Sequence, residues 1–175
     1  MWGLLVYFAV WLRTQLHLPW IRCNRRLVYS TSTSPSQPQA CKVLVMGDGL
    51  AEGVGDWVTM LRQAGLQGRL AQRLDKARVP AVVRVAGCLG ATSEDWLPTS
   101  TAGPSMRGCC ASRVPLWKKH FGGRAPPDVV VLMVGAMDSA RHSRVPGAAE
   151  SAANISAITR ELVAMGALVC VCLSP

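Results

Sequence analysis

Four short apolar runs, each followed by a helical or turn-rich stretch, constrain this chain more than any other feature. Cys41 to Met46, Ala81 to Ala86, Asp128 to Val134 and Ala167 to Leu173 are rich in Val and Leu, and the first three end in glycine. Continuous apolar runs of this length suit strands buried on both faces, as in parallel sheets. Residues 57–74 place apolar side chains at spacings of three and four, with breaks at Gly65 and Gly68. Residues 148–165 are helical by period and composition, and Thr92 or Ser93 is placed to cap a short helix starting at Glu94. Strands alternating with helices predict an α/β fold, a three-layer α/β/α sandwich on a parallel sheet. With half its 175 residues hydrophobic and 17% charged, the chain has the apolar surface to form a core. No internal repeat is visible.

The N-terminal portion differs in kind. Residues 2–12 are an uninterrupted apolar run, too short to span a bilayer unaided, and Arg13, Arg22, Arg25, Arg26 and Lys42 all precede the first acid, Asp48. A secretory signal places its charge before the apolar run and a small-residue cleavage site after it, and neither is present. An acid-free, Arg-bearing segment leading into the Ser/Thr/Pro stretch 30–36 has the composition of an organellar transit peptide, here read as mitochondrial. A membrane anchor or secretory signal is the alternative. Residues 1–40 are therefore assigned to a targeting or anchoring leader plus linker, and 41–175 to the folded domain.

Much of the formal charge of +9 belongs to that leader, so the body carries only a weak electrostatic signal. The one short basic and aromatic stretch, Trp117-Lys118-Lys119-His120-Phe121, reads as a snorkelling surface segment, and no nucleic-acid partner is expected. Seven cysteines, at 23, 41, 88, 109, 110, 170 and 172, lack the paired CxxC spacing of a zinc site, so no metal is expected. Cys170 and Cys172 alternate with Val169 and Val171 and are expected to behave as small hydrophobes in a buried strand.

Ligands of parallel sheets gather at the carboxyl ends of the strands. Three strand ends here carry glycine-bearing loops: Gly47-Asp48-Gly49, Gly87-Cys88-Leu89-Gly90 and Gly135-Ala136-Met137-Asp138. A dinucleotide fingerprint would need a third glycine at Glu52, where an anion would oppose a pyrophosphate, and an acid after the second strand, which ends Val85-Ala86-Gly87. Both departures argue against a nucleotide cofactor, and no cofactor is expected. Asp48 is expected to hold the turn after the first strand, while Gly47, Gly49 and Gly55 permit positive φ or close approach. Trp57 and Trp96 are read as packing residues.

The segment Val43-Leu-Val-Met-Gly-Asp-Gly-Leu-Ala-Glu-Gly53 resembles the first block of the SGNH, or GDSL-type, esterase and lipase family, in which a strand ends in Gly-Asp-Ser-Leu. Gly87 to Thr92 resembles the second block of that family, and Gly135 to Asp138 its third, the Gly-x-Asn-Asp block. The resemblance covers residues 41–175 and implies an esterase fold. Family members use a serine nucleophile, oxyanion donors from a glycine N–H and an asparagine side chain, and a late Asp-x-x-His pair. Carried across, the nucleophile position is Gly49, the oxyanion glycine is Gly90, the oxyanion asparagine is Met137, and Asp48 and Asp138 support the loops. Glycine has no Oγ to attack an acyl carbon, and methionine donates no hydrogen bond. The Asp-x-x-His segment has no counterpart, and the domain is read as truncated after the fourth strand.

Local substitutes are weak. Asp138 and His142, four apart with Ser139 between, lead into the charged stretch 141–144, and Cys88 has no identifiable base. The resemblance therefore implies a catalytically degenerate esterase-like domain serving as a scaffold or binding protein, with an acyl or ester ligand or a protein partner. The competing expectations are an active acyl hydrolase represented by an incomplete sequence and a structural subunit of an organellar membrane complex.

Overall fold

A computed structural model describes residues 5, 8, 12, 28–31, 40–53, 65–101, 103, 114–138 and 147–172. The fold is α/β. Its elements, in chain order, are β1 (Val28–Ser30), β2 (Cys41–Gly47), α1 (Gly49–Glu52), α2 (Gly65–Lys76), β3 (Ala81–Gly87), a 3₁₀ turn (Glu94–Trp96), α3 (Leu116–Phe121), β4 (Val129–Met133), α4 (Ala148–Ala164) and β5 (Leu168–Cys172). The five strands form one sheet in the order β1-β3-β2-β4-β5. All pairings are parallel except that of β1 with β3.

Alternation along the central strands divides the core in two, because successive side chains in a strand point to opposite faces. Leu44, Met46, Ala86, Val130 and Leu132 lie on one face and pack with Trp96 of the 3₁₀ turn, Leu116 and Phe121 of α3, and Ile158 and Leu162 of α4. Val43, Val45 and Val83 lie on the other, against Ala51 of α1 and Ala71 of α2. Helices thus cover both faces of the sheet. Helix α4 ends where Gly166, at φ 89°, takes the left-handed conformation that an L side chain resists. The amides of Gly166 and Ala167 then bond the carbonyls of Val163 and Leu162, and the chain turns directly into β5.

Several expectations need correction. Within the stretch assigned to leader and linker, Val28–Ser30 form an antiparallel edge strand on β3. Thr31 fastens that strand: its Oγ1 accepts the Ala81 amide at 3.0 Å, and its own amide donates to the Ala81 carbonyl at 3.1 Å. The sheet accordingly has five strands rather than four. Cys170 is exposed and Cys172 half-buried, because β5 is the opposite edge strand and its face is open, with Leu168 70% exposed. The stretch 117–121 is not simply a surface segment. It belongs to α3, whose Phe121 is buried and whose His120 ring lies 5.7 Å from that of Trp96. Trp57, Gly55, Ser139, His142, Cys109 and Cys110 lie outside the described residues. Leu5, Phe8 and Leu12 of the leader are exposed, and among the described residues no helix is long and apolar enough to cross a membrane.

Candidate functional site

The three glycine-bearing loops converge because of how the sheet is wound. β2 is followed in sequence by β3 on one side and β4 on the other, so the strand order reverses at β2, the position beyond whose carboxyl end α/β sheets form their ligand crevice. Gly47 closes β2 at φ 146°, and a Cβ there would collide with the Met133 carbonyl oxygen. A Cβ at Gly87 would likewise meet the backbone of Glu52. Both glycines allow the loops to approach one another closely.

Carboxylates then tie the loops together. Asp48, 1% exposed, caps α1: its Oδ1 accepts the Leu50 amide at 2.9 Å. Its Oδ2 accepts the Ala136 amide at 3.2 Å, so one side chain joins the first loop to the third. Glu52, buried at the end of α1, accepts the Leu89 amide at 2.6 Å and joins the first loop to the second. Asp138 accepts the Ser93 amide at 2.9 Å through Oδ1 and a short hydrogen bond from the Ser151 hydroxyl of α4 through Oδ2. Asn154 donates to the Ser93 hydroxyl at 3.1 Å. Charged acceptors bonded to backbone N–H groups are among the stronger protein hydrogen bonds, and together they hold the crevice in one shape.

Burial raises the carboxyl of Asp48 above its ordinary range, and the nearby Asp138 charge adds to this, against the lowering effect of the amides that it accepts. The tryptophan at the 3₁₀ turn completes the floor. Trp96 is fully buried and donates its indole N–H to the Gly47 carbonyl at 3.1 Å. Cys88, half-buried, donates its amide to the same carbonyl at 3.0 Å.

Each carried-over position has a definite place. Gly49 is the first residue of α1 and is buried, with helical backbone rather than the positive φ considered for it. Gly90 sits at φ 83° in the second loop. Met137 lies half-buried in the turn of the third loop, between Ala136 and Asp138. The structure therefore gathers Gly49, Gly90 and Met137 at the carboxyl ends of β2, β3 and β4. It brings no described histidine among these loops, since His120 belongs to α3 on the sheet face.

Other participants were not evident from sequence. In the sequence Glu52 stands out only as an anion opposing a pyrophosphate, and its bond to Leu89 spans 37 residues that no local pattern links. The 3₁₀ turn starts at Glu94 with Ser93 at its N-cap position, as expected, but the side-chain bonding differs. Ser93 makes no side-chain cap, and Asp95 instead accepts both the amide and the hydroxyl of Thr92, at 2.9 and 3.0 Å. Among the described residues, no group of three or more histidine, cysteine, aspartate or glutamate side chains could hold a metal ion. A scan of protein-family models finds no match to this chain, and neither does a search of curated proteins.

Proposed function

We propose that this chain is an SGNH-hydrolase-like domain without hydrolytic activity, acting as a binding or scaffold protein through the crevice at the strand ends. Gly49 carries the proposal: the residue that opens α1 beneath the glycine-rich loops has no hydroxyl, so no acyl-enzyme can form there. The helices on both faces of the sheet support the three-layer arrangement that the resemblance implies. Met137 on the third loop removes a side-chain donor for an oxyanion, a loss that typically costs about 10²–10³ in rate where catalysis survives. Asp48, Glu52 and Asp138 all accept backbone amides, which suits a crevice kept in shape for binding. The ligand class is an acyl or ester group or a protein surface, and the leader is consistent with delivery to an organellar membrane complex.

Labelling with a fluorophosphonate, alongside hydrolysis of short-chain p-nitrophenyl esters, tests this reading. The expected outcome is no adduct by intact mass and no turnover above buffer. Gly49→Ser is expected to remain inactive, since a hydroxyl without a base stays a poor nucleophile. A stoichiometric adduct on the unaltered chain, or ester turnover that the reagent abolishes, would sink the proposal.

A further inference from the structure

A second concave feature lies away from the crevice, between the sheet and the end of α3. It is a cavity of about 50 Å³ with Lys42 of β2, Arg84 of β3 and His120 of α3 among its lining, and Leu44, Phe121 and Pro127 among its apolar walls. Among the described residues, no acidic side chain lines it. The nearest acid by sequence and contact, Asp128, accepts the backbone amide of Lys42 at 2.7 Å and so is turned to the main chain. Register places the two cations near one another, because Arg84 pairs with Leu44 and Val82 with Lys42 on adjacent strands.

We propose that this cavity binds a phosphoryl group, as a phosphomonoester or inorganic phosphate, between Arg84, Lys42 and His120. The inference is independent of the reading of the strand-end crevice. Size comes first: a single water needs about 10–15 Å³ of such space, so the cavity has room for a few waters or a compact oxyanion. Charge comes second. Phosphate monoesters carry close to two negative charges at neutral pH, which match two fixed cations better than a carboxylate does. Arginine presents a planar fork of donors and lysine a point charge, a combination well suited to tetrahedral oxygens. His120 adds a neutral N–H donor. Burial first, then the charges of Lys119, Arg124 and Arg84, lower its pKa from 6.5 to about 4, so it is uncharged at neutral pH and faces cations from its own helix, the following turn and β3. A dianion seated among these groups would relieve their mutual repulsion.

The test is titration of the full chain with inorganic phosphate at constant ionic strength, followed by calorimetry and by the NMR signals of the His120 imidazole. Saturable one-site binding is expected, accompanied by a rise in the His120 pKa. Arg84→Met should weaken binding at least tenfold and Lys42→Met severalfold. Arg73→Met, an exposed change on α2 across the sheet, should leave it unaltered. Should Arg84→Met fail to fold, the exposed Lys42 and the His120 titration still decide the matter. Vesicles with and without phosphatidic acid distinguish the source: capture that inorganic phosphate displaces assigns a lipid headgroup, and saturation by free phosphate without capture assigns a soluble ligand. Absence of saturable binding, or binding unaffected by both substitutions with no change at His120, overturns the proposal.

Discussion

The crevice at the strand ends and the cavity beside α3 lie on either side of Trp96, and they treat charge in opposite ways. At the strand ends, Asp48, Glu52 and Asp138 each accept a backbone amide from another loop or the next element, so the charges are spent on holding the chain in position. Beside α3, Lys42 and Arg84 line a cavity with no acidic residue among its described lining. Charges satisfied by the protein's own backbone make architecture, whereas charges left facing a cavity of one sign make a place for a counter-ion. A motif-led reading looks only at the first region, because the glycine-bearing loops are conspicuous and the two cations and the histidine are scattered over 42, 84 and 120.

The sharpest way to break this comparison is Trp96→Ala. The indole is fully buried, bonds the Gly47 carbonyl on the crevice side and contacts the His120 ring on the other. Loss of about 3–5 kcal/mol is expected in chemical denaturation, and both regions should loosen together in hydrogen exchange. Loosening of one region alone would separate them. Asp48→Asn comes next, at about 1–3 kcal/mol, because an amide offers one acceptor oxygen where the carboxylate serves both Leu50 and Ala136. Its effect should be confined to the crevice and leave phosphate binding unchanged.

The third prediction concerns pH. The folded pKa of His120, about 4, lies below its unfolded value of 6.5, so the folded state resists the proton. Its contribution is complete above about 6.5 and fades as pH falls towards 4. Discounted for partial solvent access, this amounts to about 1–2 kcal/mol, and His120→Gln should remove it when denaturation midpoints at pH 7 and pH 4.5 are compared. Asp48 acts in the opposite sense: with its folded pKa raised, its contribution grows as pH falls through that value. The smallest effect is expected for Glu52→Gln, below about 1 kcal/mol, since an oxygen remains to accept the Leu89 amide. A much larger loss would mean that the charge itself joins the first two loops.

What could be read from sequence follows the range of the interactions. β2, β3 and β4 were legible because Val43 to Met46 and Val129 to Met133 are apolar on both faces and Val82 to Ala86 is interrupted only by Arg84, a pattern few other environments reward. Helix α4 was legible by its period. β1 was hidden because three residues carry almost no periodicity, and its fastening through Thr31 depends on Ala81, fifty positions away. The exposure of Cys170 was illegible for a related reason, since an apolar run looks the same in a central strand and at an edge. In the crevice, the positions of Gly49, Gly90 and Met137 were visible from local blocks. The carboxylate ties and the basic cavity were not, because each joins residues tens of positions apart.

The placement of β1 bears on how such a chain is processed. A proteolytic cut between residues 31 and 40 would detach a strand that belongs to the sheet, and β3 would lose its outer partner along with the Thr31 clasp. A cut before Val28 would release the apolar leader and leave the five strands intact. Which side of Val28–Ser30 a cleavage falls on therefore decides whether β3 keeps a protected edge.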